Sequence, residues 1–395
     1  MVPSPFKEHW VETAEFPPLP IKSAPVYAWK VVHVALVSET ILSSTIPLLV
    51  PELRSSRVVA LVSADVRKHA ERLARFARRH GIDVTEVHTQ PFDYDGVRRS
   101  AESAIALSRP FRAVLNVTGG TKIMALAAFD AFRAHGRPVF YLDLANQKVC
   151  WLAPQVRQSE LPAVLGVQDA LEAAGFALGG AERPDPFGLE GNIAWWIGQD
   201  ARRYAPILAE MKRSLSACRR SEPQRCRIQR DQAAGRLAEK LVEVGMARRQ
   251  GSWLEFLEPG TRKLIDGGWL ELFTYGVLSR ARERLGITDI ALSARIRSYE
   301  RDADTDSELD IVFTARNRLY VLECKSALRP PRDVVFRVEV LREMYGGGLG
   351  RGGVVCLSGA APALKRRCSD LGLLLVEGAS LPRLEDIVAT WIGAS

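Results

Sequence analysis

Strand-like and helix-like segments alternate through the first half of the 395-residue chain, and this alternation restricts the fold more than any other feature. Apolar runs of strand length are followed by helical patterns over residues 38–49, 65–80, 96–107 and 122–134. Consecutive strands separated by helices pair in parallel through crossovers, which builds a mostly parallel sheet with helices on both faces. The sequence therefore predicts an α/β fold with such a sheet over residues 26–153, closing with a short strand at 148–152.

The segment NVTGGTKIMA, residues 116–125, leaves the fourth strand and enters a helix, which is where open α/β sheets bind ligands. Gly119 and Gly120 let the backbone approach a ligand closely, the helix start offers free N–H groups, and Lys122 adds positive charge. The loop therefore favours an anionic ligand, although a strand-to-helix turn capped by a threonine explains it equally well. The first crossover turn, residues 38–40, offers a second polar rim to the same crevice.

In the second half, residues 307–325 read SELDIVFTARNRLYVLECK and predict two strands joined by a polar turn at 315–318. Side chains alternate between faces, so Glu308 and Asp310 share one face, and Glu323 and Lys325 share a face of the next strand. Pairing would bring Asp310, Glu323 and Lys325 to one edge, where two carboxylates are costly to bury without a cation. Such oxygen ligands suit Mg²⁺ or Mn²⁺. A hairpin with charges on a solvated face is the alternative.

The segments around this hairpin predict a second α/β domain. A helical pattern over 267–285 places Glu271 on one stripe with Gly268, Tyr275 and Leu278. A helix at 332–344, a glycine-rich loop, a strand, another helix and a last strand follow. Basic side chains after the hairpin could line a phosphate track, although a solvated face explains them equally well. They are Arg329, Arg332, Arg337, Arg342, Arg351, Lys365 and Arg366.

The first half resembles the CARF domains, the Rossmann-like sensors of CRISPR-associated proteins. NVTGGTKIMALAA is similar to that family's loop and helix, and the resemblance covers roughly residues 30–153. It implies a homodimer that binds a cyclic oligoadenylate across its two-fold axis. The ligand-binding residues that it implies are Ser38, Glu39, Thr40, Thr45, Asn116, Thr118, Gly119, Gly120, Thr121 and Lys122. Asp143 is a weaker candidate, for which a structural cap is the preferred interpretation.

The helix carboxylate, the aspartate on one strand and the Glu-x-Lys on the next resemble the PD-(D/E)xK nuclease superfamily, although Leu309 stands where that motif has proline. The catalytic set that this resemblance implies is Glu271, Glu308, Asp310, Glu323 and Lys325. Asp310, Glu323 and the backbone carbonyl of Cys324 would hold Mg²⁺ or Mn²⁺. Lys325 would orient or deprotonate the attacking water, or stabilise the pentacovalent phosphate. Glu271 would complete the inner or outer shell of the metal, and Glu308 could orient it or bind a second metal.

A CARF-like sensor followed by a PD-(D/E)xK domain in one chain resembles the single-CARF nuclease effectors of type III CRISPR systems. They imply a symmetric dimer in which cyclic tetra-adenylate activates metal-dependent DNA nicking or degradation, or cleavage of single-stranded RNA. Two other functions stay open: a ligand-responsive transcription regulator with an inactive nuclease remnant, and a ring nuclease that degrades its cyclic ligand. A HEPN ribonuclease is excluded for the second half, because its motif needs a histidine and the last one in the chain is His135.

These expectations divide the chain into an N-terminal arm (1–25), a CARF-like sensor (26–153), a helical connector (154–250) and a PD-(D/E)xK nuclease domain (251–395). Helix, turn and hairpin in the connector suit either a winged-helix module or a lead-in to the nuclease, and we favour the lead-in.

Composition agrees with a packed intracellular protein. Hydrophobic residues make up 47% of the chain, and the net charge of +8 fits a polyanionic partner. The six cysteines form no Cys-x-x-Cys pair, which suits a reducing cytoplasm. The chain has no apolar run of about eighteen residues, and its first twenty or so residues lack the pattern of a signal peptide. We therefore expect a cytoplasmic location and no membrane partner.

Overall fold

The computed structural model describes residues 31–216, 224–228, 231–257, 259–300, 307–327, 331, 333–357 and 359–393. The expected N-terminal arm lies outside the described residues, as do Arg329 and Arg332 of the expected phosphate track. Nowhere in the described part of the chain is there a helix with the length and apolar character needed to cross a bilayer.

The first sheet has seven strands in the order β3-β2-β1-β4-β5-β6-β7. Its strands are β1 Val31–Leu36, β2 Arg57–Val62, β3 Asp83–His88, β4 Arg112–Asn116, β5 Val139–Asp143, β6 Lys148–Ala153 and β7 Arg157–Glu160. The helices that alternate with the first five strands are α1 Leu42–Leu49, α2 Arg67–Arg79, α3 Tyr94–Leu107 and α4 Lys122–Ala134. Strands β1 to β5 pair in parallel, whereas β6 and β7 are antiparallel additions. The predicted mostly parallel sheet is confirmed, and β7 is a further strand.

Helix α4 has the limits that its sequence predicts. Thr121 caps its start, because the Thr121 Oγ1 accepts a hydrogen bond from the N–H of Met124 at 3.1 Å. Just beyond its last residue, Gly136 adopts a φ of +59°, a conformation that ends helices and that glycine adopts without steric cost.

Helix α1 begins later than its sequence suggests. Its N-cap is Ile41, which makes no side-chain capping bond, and Ser38 Oγ instead donates to the carbonyl of Thr40 at 3.2 Å. The helix expected over residues 38–49 therefore begins at Leu42 and not at residue 38. Residues 38–40 form a separate loop between the strand and the helix.

The segment between the two domains contains α5 Val167–Ala174, β8 Phe176–Glu182, α6 Leu189–Gln199, α7 Ala201–Ser216, β9 Arg225–Arg227, α8 Gln232–Glu243, β10 Ala247–Gln250 and β11 Trp253–Phe256. The predicted hairpin is β10 with β11, and β9 joins it to give a small antiparallel sheet in the order β10-β11-β9. Helix α8 followed by this sheet is a winged-helix-like arrangement. Leu237 of α8 and Leu254 of β11 lie in one core cluster with Trp269 of the second domain.

The second domain is built on a six-stranded sheet in the order β16-β15-β14-β13-β12-β8. Its remaining elements are α9 Pro259–Lys263, α10 Trp269–Arg280, α11 Arg282–Leu285, β12 Ile287–Ser298, β13 Ser307–Ala315, β14 Arg318–Lys325, α12 Val334–Gly346, β15 Arg351–Cys356, α13 Pro362–Asp370, β16 Leu374–Glu377 and α14 Leu384–Gly393. Strands β8, β12, β13 and β14 are antiparallel, and β14, β15 and β16 are parallel. Because β8 belongs to this sheet, residues 154–250 are not an independent connector.

The predicted turn of the β13–β14 hairpin joins the two domains. Arg316 and Asn317 both have positive φ, at +48° and +53°, which gives the tight two-residue turn that matches strand twist. Asn317 is fully buried, its Nδ2 donates to Gln147 Oε1 in the β5–β6 turn at 2.9 Å, and its Oδ1 accepts from the N–H of Val164 at 2.9 Å. The hairpin turn is therefore buried against the first domain.

Candidate active site and candidate ligand crevice

The end of the β13–β14 hairpin opposite its turn carries the predicted charged residues. Strand pairing runs from Ala315–Arg318 to Ile311–Leu322. Beyond that pair, the N–H of Cys324 donates to Asp310 Oδ2 at 2.7 Å. The Asp310 carboxylate thus holds the two strands together where their paired register ends, and this contact fixes its position in the site.

Glu323 and Lys325 lie beside Asp310, as the alternation of side chains predicts. Lys325 Nζ is 2.6 Å from Glu323 Oε1, 3.5 Å from Asp310 Oδ2 and 3.2 Å from the carbonyl oxygen of Cys324. Glu323 is only 1% exposed, and its Oε2 is buried without a hydrogen-bond partner. The predicted cluster of two carboxylates and an amine is therefore formed, and one carboxylate oxygen is left unsatisfied.

Glu271, in the first turn of α10, adds a third carboxylate to this neighbourhood. Burial, and then the negative charge of Asp310, raise the pKa of Glu271 to about 7. The same two causes raise the pKa of Glu323. Burial lowers the pKa of Lys325, but its hydrogen bond to Glu323 and the charge of Asp310 outweigh burial and raise that pKa overall. The site therefore holds excess negative charge and a firmly protonated lysine.

These features fit a divalent cation. The buried and unpartnered Glu323 Oε2 needs a donor or a cation, and the Cys324 carbonyl oxygen lies at the same edge. Within the described ranges, no three side chains of the types His, Cys, Asp and Glu form a metal-binding cluster. The donor set of Asp310, Glu323 and the main-chain oxygen of Cys324 therefore stays a prediction.

A distorted helix entry lies next to the hairpin end, and no signal in the sequence identified it beyond the pair Gly267-Gly268. The chain is kinked between α9 and α10 over Leu264–Gly268, where one continuous helix over 267–285 was expected. Gly267 has a φ of +132°, and a Cβ there would lie 2.3 Å from Ser326 Oγ. Only glycine therefore fits beside the residue that follows Lys325.

Two further residues lie at the rim of the site. Arg337 of α12 donates from Nη2 to the carbonyl of Glu308 at 3.1 Å, and its Nε is 3.5 Å from Glu323 Oε1. Its side chain is half-exposed, so it faces both the carboxylates and solvent. The Glu308 side chain is exposed, and it contributes to raising the pKa of Glu271.

The loop of residues 119–122, here called the GGTK loop, lies at the carboxyl end of β4, beside the loop that follows β1. Because β1 and β4 are neighbours whose crossovers lead in opposite directions, this is the switch point of the sheet. A Cβ at Gly119 would lie 2.2 Å from the carbonyl oxygen of Leu36 and 3.2 Å from Ser38 Oγ, so glycine is required there. Gly120 adopts a φ of +74°. The loop at residues 38–40 and the GGTK loop therefore line one crevice, as expected.

Asn116 and Thr118 hold the crevice in place. Asn116 Nδ2 donates to the carbonyl of Ser43 at 2.8 Å, and its Oδ1 accepts from Thr118 Oγ1 at 2.6 Å. Thr118 Oγ1 in turn accepts from the N–H of Leu142 in β5 at 2.8 Å. Both side chains are thus committed to protein contacts. Lys122 is exposed at the start of α4, where a ligand could reach it.

The remaining predicted residues divide into surface and core positions. Glu39 and Thr40 are exposed and Ser38 is half-buried at the rim, but Thr45 is fully buried and donates to the carbonyl of Leu42 at 3.1 Å. Asp143 accepts hydrogen bonds from the backbone and side chain of Asn146, which lower its pKa and make it the cap of the β5–β6 turn.

Two protein-family models match the chain. Residues 32–170 match the Card1 CARF domain, and residues 259–395 match the Card1-like endonuclease domain. A comparison with curated proteins gives no match.

Three solved structures share the fold. Protein VC1899 from Vibrio cholerae is 21% identical with a TM-score of 0.81, and the match covers 92% of this chain and 98% of that one. Can2 from Sulfobacillus thermosulfidooxidans, in complex with cyclic tetra-adenylate, is 23% identical with a TM-score of 0.73 over 92% and 99% of the two chains. A type III CRISPR defence DNA nuclease activated by cyclic oligoadenylate is 20% identical, with a TM-score of 0.55 over 87% of this chain and 48% of that one.

Proposed function

Because this chain joins a CARF domain of the Card1 family to an endonuclease domain of the Card1-like family, we propose that it is a nuclease activated by a cyclic oligoadenylate in type III CRISPR defence. The observation that carries the proposal is the convergence of Asp310, Glu323 and Lys325 at the open end of one hairpin whose turn is buried in the sensor. Sensing and cleavage would then share one structural element.

Cyclic tetra-adenylate is the activator that we propose. The crevice at the switch point combines exposed Lys122, the start of α4 and a glycine pair that brings the backbone close to a phosphate. The Can2 structure with the same fold is a complex with cyclic tetra-adenylate. The side chains that we propose as ligand contacts are those exposed or half-exposed at the rim, with Asn116 and Thr118 positioning the loop.

In the nuclease domain, Asp310, Glu323 and the carbonyl of Cys324 would hold Mg²⁺ or Mn²⁺. The metal would lower the pKa of a bound water and offset charge on the scissile phosphate. Since its pKa is raised, Lys325 is a hydrogen-bond donor at neutral pH. We therefore assign Lys325 to orienting the water and stabilising the phosphate, rather than to deprotonation. Glu271 would keep or release a proton near pH 7 beside the reacting groups.

A homodimer is supported by apolar side chains beside the crevice. Phe92 is 78% exposed and Leu126 on α4 is 59% exposed. Thr121 Oγ1 donates to the carbonyl of Pro91 at 2.8 Å, which places the loop that carries Phe92 against the GGTK loop. Contact between two copies over this edge would cover both side chains and would set two crevices together around one ring-shaped ligand.

The transcription-regulator alternative is less well supported by the same structure. In a winged-helix reader the helix before the hairpin enters the major groove and needs a basic face. The exposed face of α8 carries Arg236, Glu239, Lys240 and Glu243, and Lys240 is paired with Glu243 at 3.0 Å. Its charges cancel, so this helix is poorly suited to duplex DNA.

The decisive assay incubates the full chain with supercoiled plasmid or end-labelled single-stranded RNA, in Mn²⁺ or Mg²⁺, with and without each cyclic oligoadenylate. We expect cleavage only with metal and cyclic tetra-adenylate together. Asp310→Asn should abolish cleavage while binding labelled ligand within about threefold of the parent. Glu385→Gln, which removes a half-exposed carboxylate on α14 that pairs with Arg284, is the control. Normal cleavage by Asp310→Asn would place the active site elsewhere, and conversion of the labelled ligand would favour a ring nuclease.

A further inference from the structure

The small sheet β10-β11-β9 has one buried and one exposed face. Cys226 of β9, with Leu254 and Phe256 of β11, lies in the core cluster that includes Trp269 of the second domain. Because side chains alternate along a strand, the neighbours of these residues point away from that core. Strand register sets six outward residues in two rows across the sheet: Gln250, Trp253 and Arg227 in one row, and Arg248, Glu255 and Arg225 in the other. All six are exposed except Glu255, which is half-buried.

The exposed face is basic and carries an aromatic ring. Trp253 is 43% exposed, and the guanidinium of Arg225 lies 5.3 Å from the centre of its ring. Arg227 is directly opposite Trp253 on the neighbouring strand. Glu255 is the one acidic residue in the two rows, and Arg248 pairs with it at 2.9 Å, so positive charge is in excess. An indole between guanidinium groups combines a plane on which bases stack with charges that neutralise phosphates.

Direct contacts connect this sheet to the kink before α10. Gln224, immediately before β9, accepts a hydrogen bond from Arg262 of α9. Arg262 in turn has its Nε 3.5 Å from the carboxylate of Asp266 in the kink. The next residue, Gly267, lies against Ser326, which directly follows the catalytic strand β14. The basic face is therefore fixed to the segment that borders the active site.

We propose that this face binds an unpaired stretch of the nucleic-acid substrate, with a base stacked on Trp253 and the flanking phosphates held by Arg225 and Arg227. The inference rests on the proposed nuclease function and adds to it a substrate-binding surface outside the active site. Stacking needs a free base plane, which a duplex hides, and arginine contacts to phosphate are independent of base and sugar. Single-stranded DNA and RNA are therefore both ligands, and a duplex is a weaker one. Such a surface lowers the KM for long strands and leaves kcat unchanged.

Binding is measured on full-length Asp310→Asn with cyclic tetra-adenylate, by fluorescence anisotropy of labelled single strands of about 30 nucleotides, as DNA and as RNA. Adding Trp253→Ala should weaken binding of both about tenfold or more, and adding Trp253→Phe, which keeps a ring, about threefold or less. Adding Arg227→Gln should weaken binding and lower its salt dependence by about one phosphate contact. Adding Phe187→Ala is the matched control, because it removes another exposed ring that lies 4.9 Å from an arginine, Arg280.

Cleavage kinetics distinguish a binding surface from a structural role. In a chain that keeps Asp310, Trp253→Ala should raise the KM for the long strand about tenfold and leave kcat within about twofold of the parent. A reporter of about four nucleotides, which fills only one site, should be cleaved with unchanged kcat/KM.

Three results would overturn the proposal. Equal affinity of the Trp253→Ala variant and its parent for the long strands removes the binding surface, and the proposed function stands if the chain with Asp310 still cleaves. Equal loss on the long and the short substrate would make Trp253 a structural residue. Tighter binding of a duplex than of its single strands would assign the face to paired nucleic acid. Should the unmutated chain cleave nothing with metal and any cyclic oligoadenylate, the proposed function fails, and the anisotropy comparison still decides the binding surface by itself.

Discussion

Replacing Asn317 by glycine should separate ligand sensing from cleavage. Asn317 is fully buried at the hairpin turn, and its side chain makes four hydrogen bonds to the sensor side. Its Oδ1 accepts from the N–H groups of Val164 and Leu165 at 2.9 and 3.2 Å, and its Nδ2 donates to Gln147 Oε1 and to the carbonyl of Pro162, both at 2.9 Å. Glycine keeps the positive φ without strain and removes all four bonds.

The expected loss follows from those contacts. Each buried hydrogen bond contributes about 1 kcal/mol, so Asn317→Gly should lower the free energy of unfolding by about 4 kcal/mol. Asn317→Ala should cost about 1 kcal/mol more, because a residue with a Cβ is strained at a φ of +53°. Urea unfolding followed by circular dichroism measures both values. Asn146→Ala, in the neighbouring β5–β6 turn and exposed, is the control.

The functional consequence is measured on the same variants. Cyclic tetra-adenylate should still bind Asn317→Gly within about threefold of the parent, because the crevice residues are unchanged, while ligand-stimulated cleavage falls at least about tenfold. If Asn317→Gly is destabilised yet is activated normally, the turn contributes to packing and not to coupling. If stability is also unchanged, the hydrogen-bond reasoning itself is refuted.

Three further predictions concern the two sites. Lys325→Ala or Glu323→Gln should reduce plasmid or RNA cleavage about 100-fold or more without loss of ligand binding, and near-normal turnover would argue against the hairpin site. Gly119→Ala should abolish binding of labelled cyclic tetra-adenylate, because its Cβ would lie 2.2 Å from the carbonyl of Leu36; unaltered affinity would contradict the crevice assignment. Burial is the main cause that raises the pKa of Glu271 to about 7. The same carboxyl ionises at lower pH in the unfolded chain than in the folded one, so with EDTA present the free energy of unfolding should fall from about pH 5 to pH 7. Glu271→Gln should flatten that slope in urea unfolding; an unchanged slope would assign it to other groups.

The sequence predicted the elements whose signals are local. Strand alternation over 307–325 placed the turn at the right residues and brought Asp310, Glu323 and Lys325 together, because side chains in paired strands have no freedom to change faces. The capped start of α4 at Thr121 and its end before Gly136 likewise depend only on neighbouring residues.

Features that depend on distant contacts were not predictable in this way. Strand β8 joins the second sheet through pairing with β12, more than a hundred residues later in the chain, and nothing within its own sequence specifies that partner. The kink before α10 brings Gly267 close to Ser326, a contact that only the folded chain creates. Thr45 has the polarity of a ligand contact but lies in the core, where its hydroxyl is satisfied within its own helix.

The β13–β14 hairpin is suited to transmit a displacement from one end to the other because it is rigid. Its strands are buried from Ile311 to Leu322 and paired without interruption, and close-packed interiors shift between discrete arrangements rather than deform. One end is anchored by Asn317 to the turn that follows β5, the strand whose Leu142 is bonded to Thr118 of the ligand loop. The other end holds the carboxylates of Asp310 and Glu323, and the raised pKa and unpartnered Oε2 of Glu323 make their present arrangement electrostatically unfavourable. A small displacement of the turn would therefore reach these carboxylates as a rigid shift, at the point where the surrounding charge is most sensitive to it.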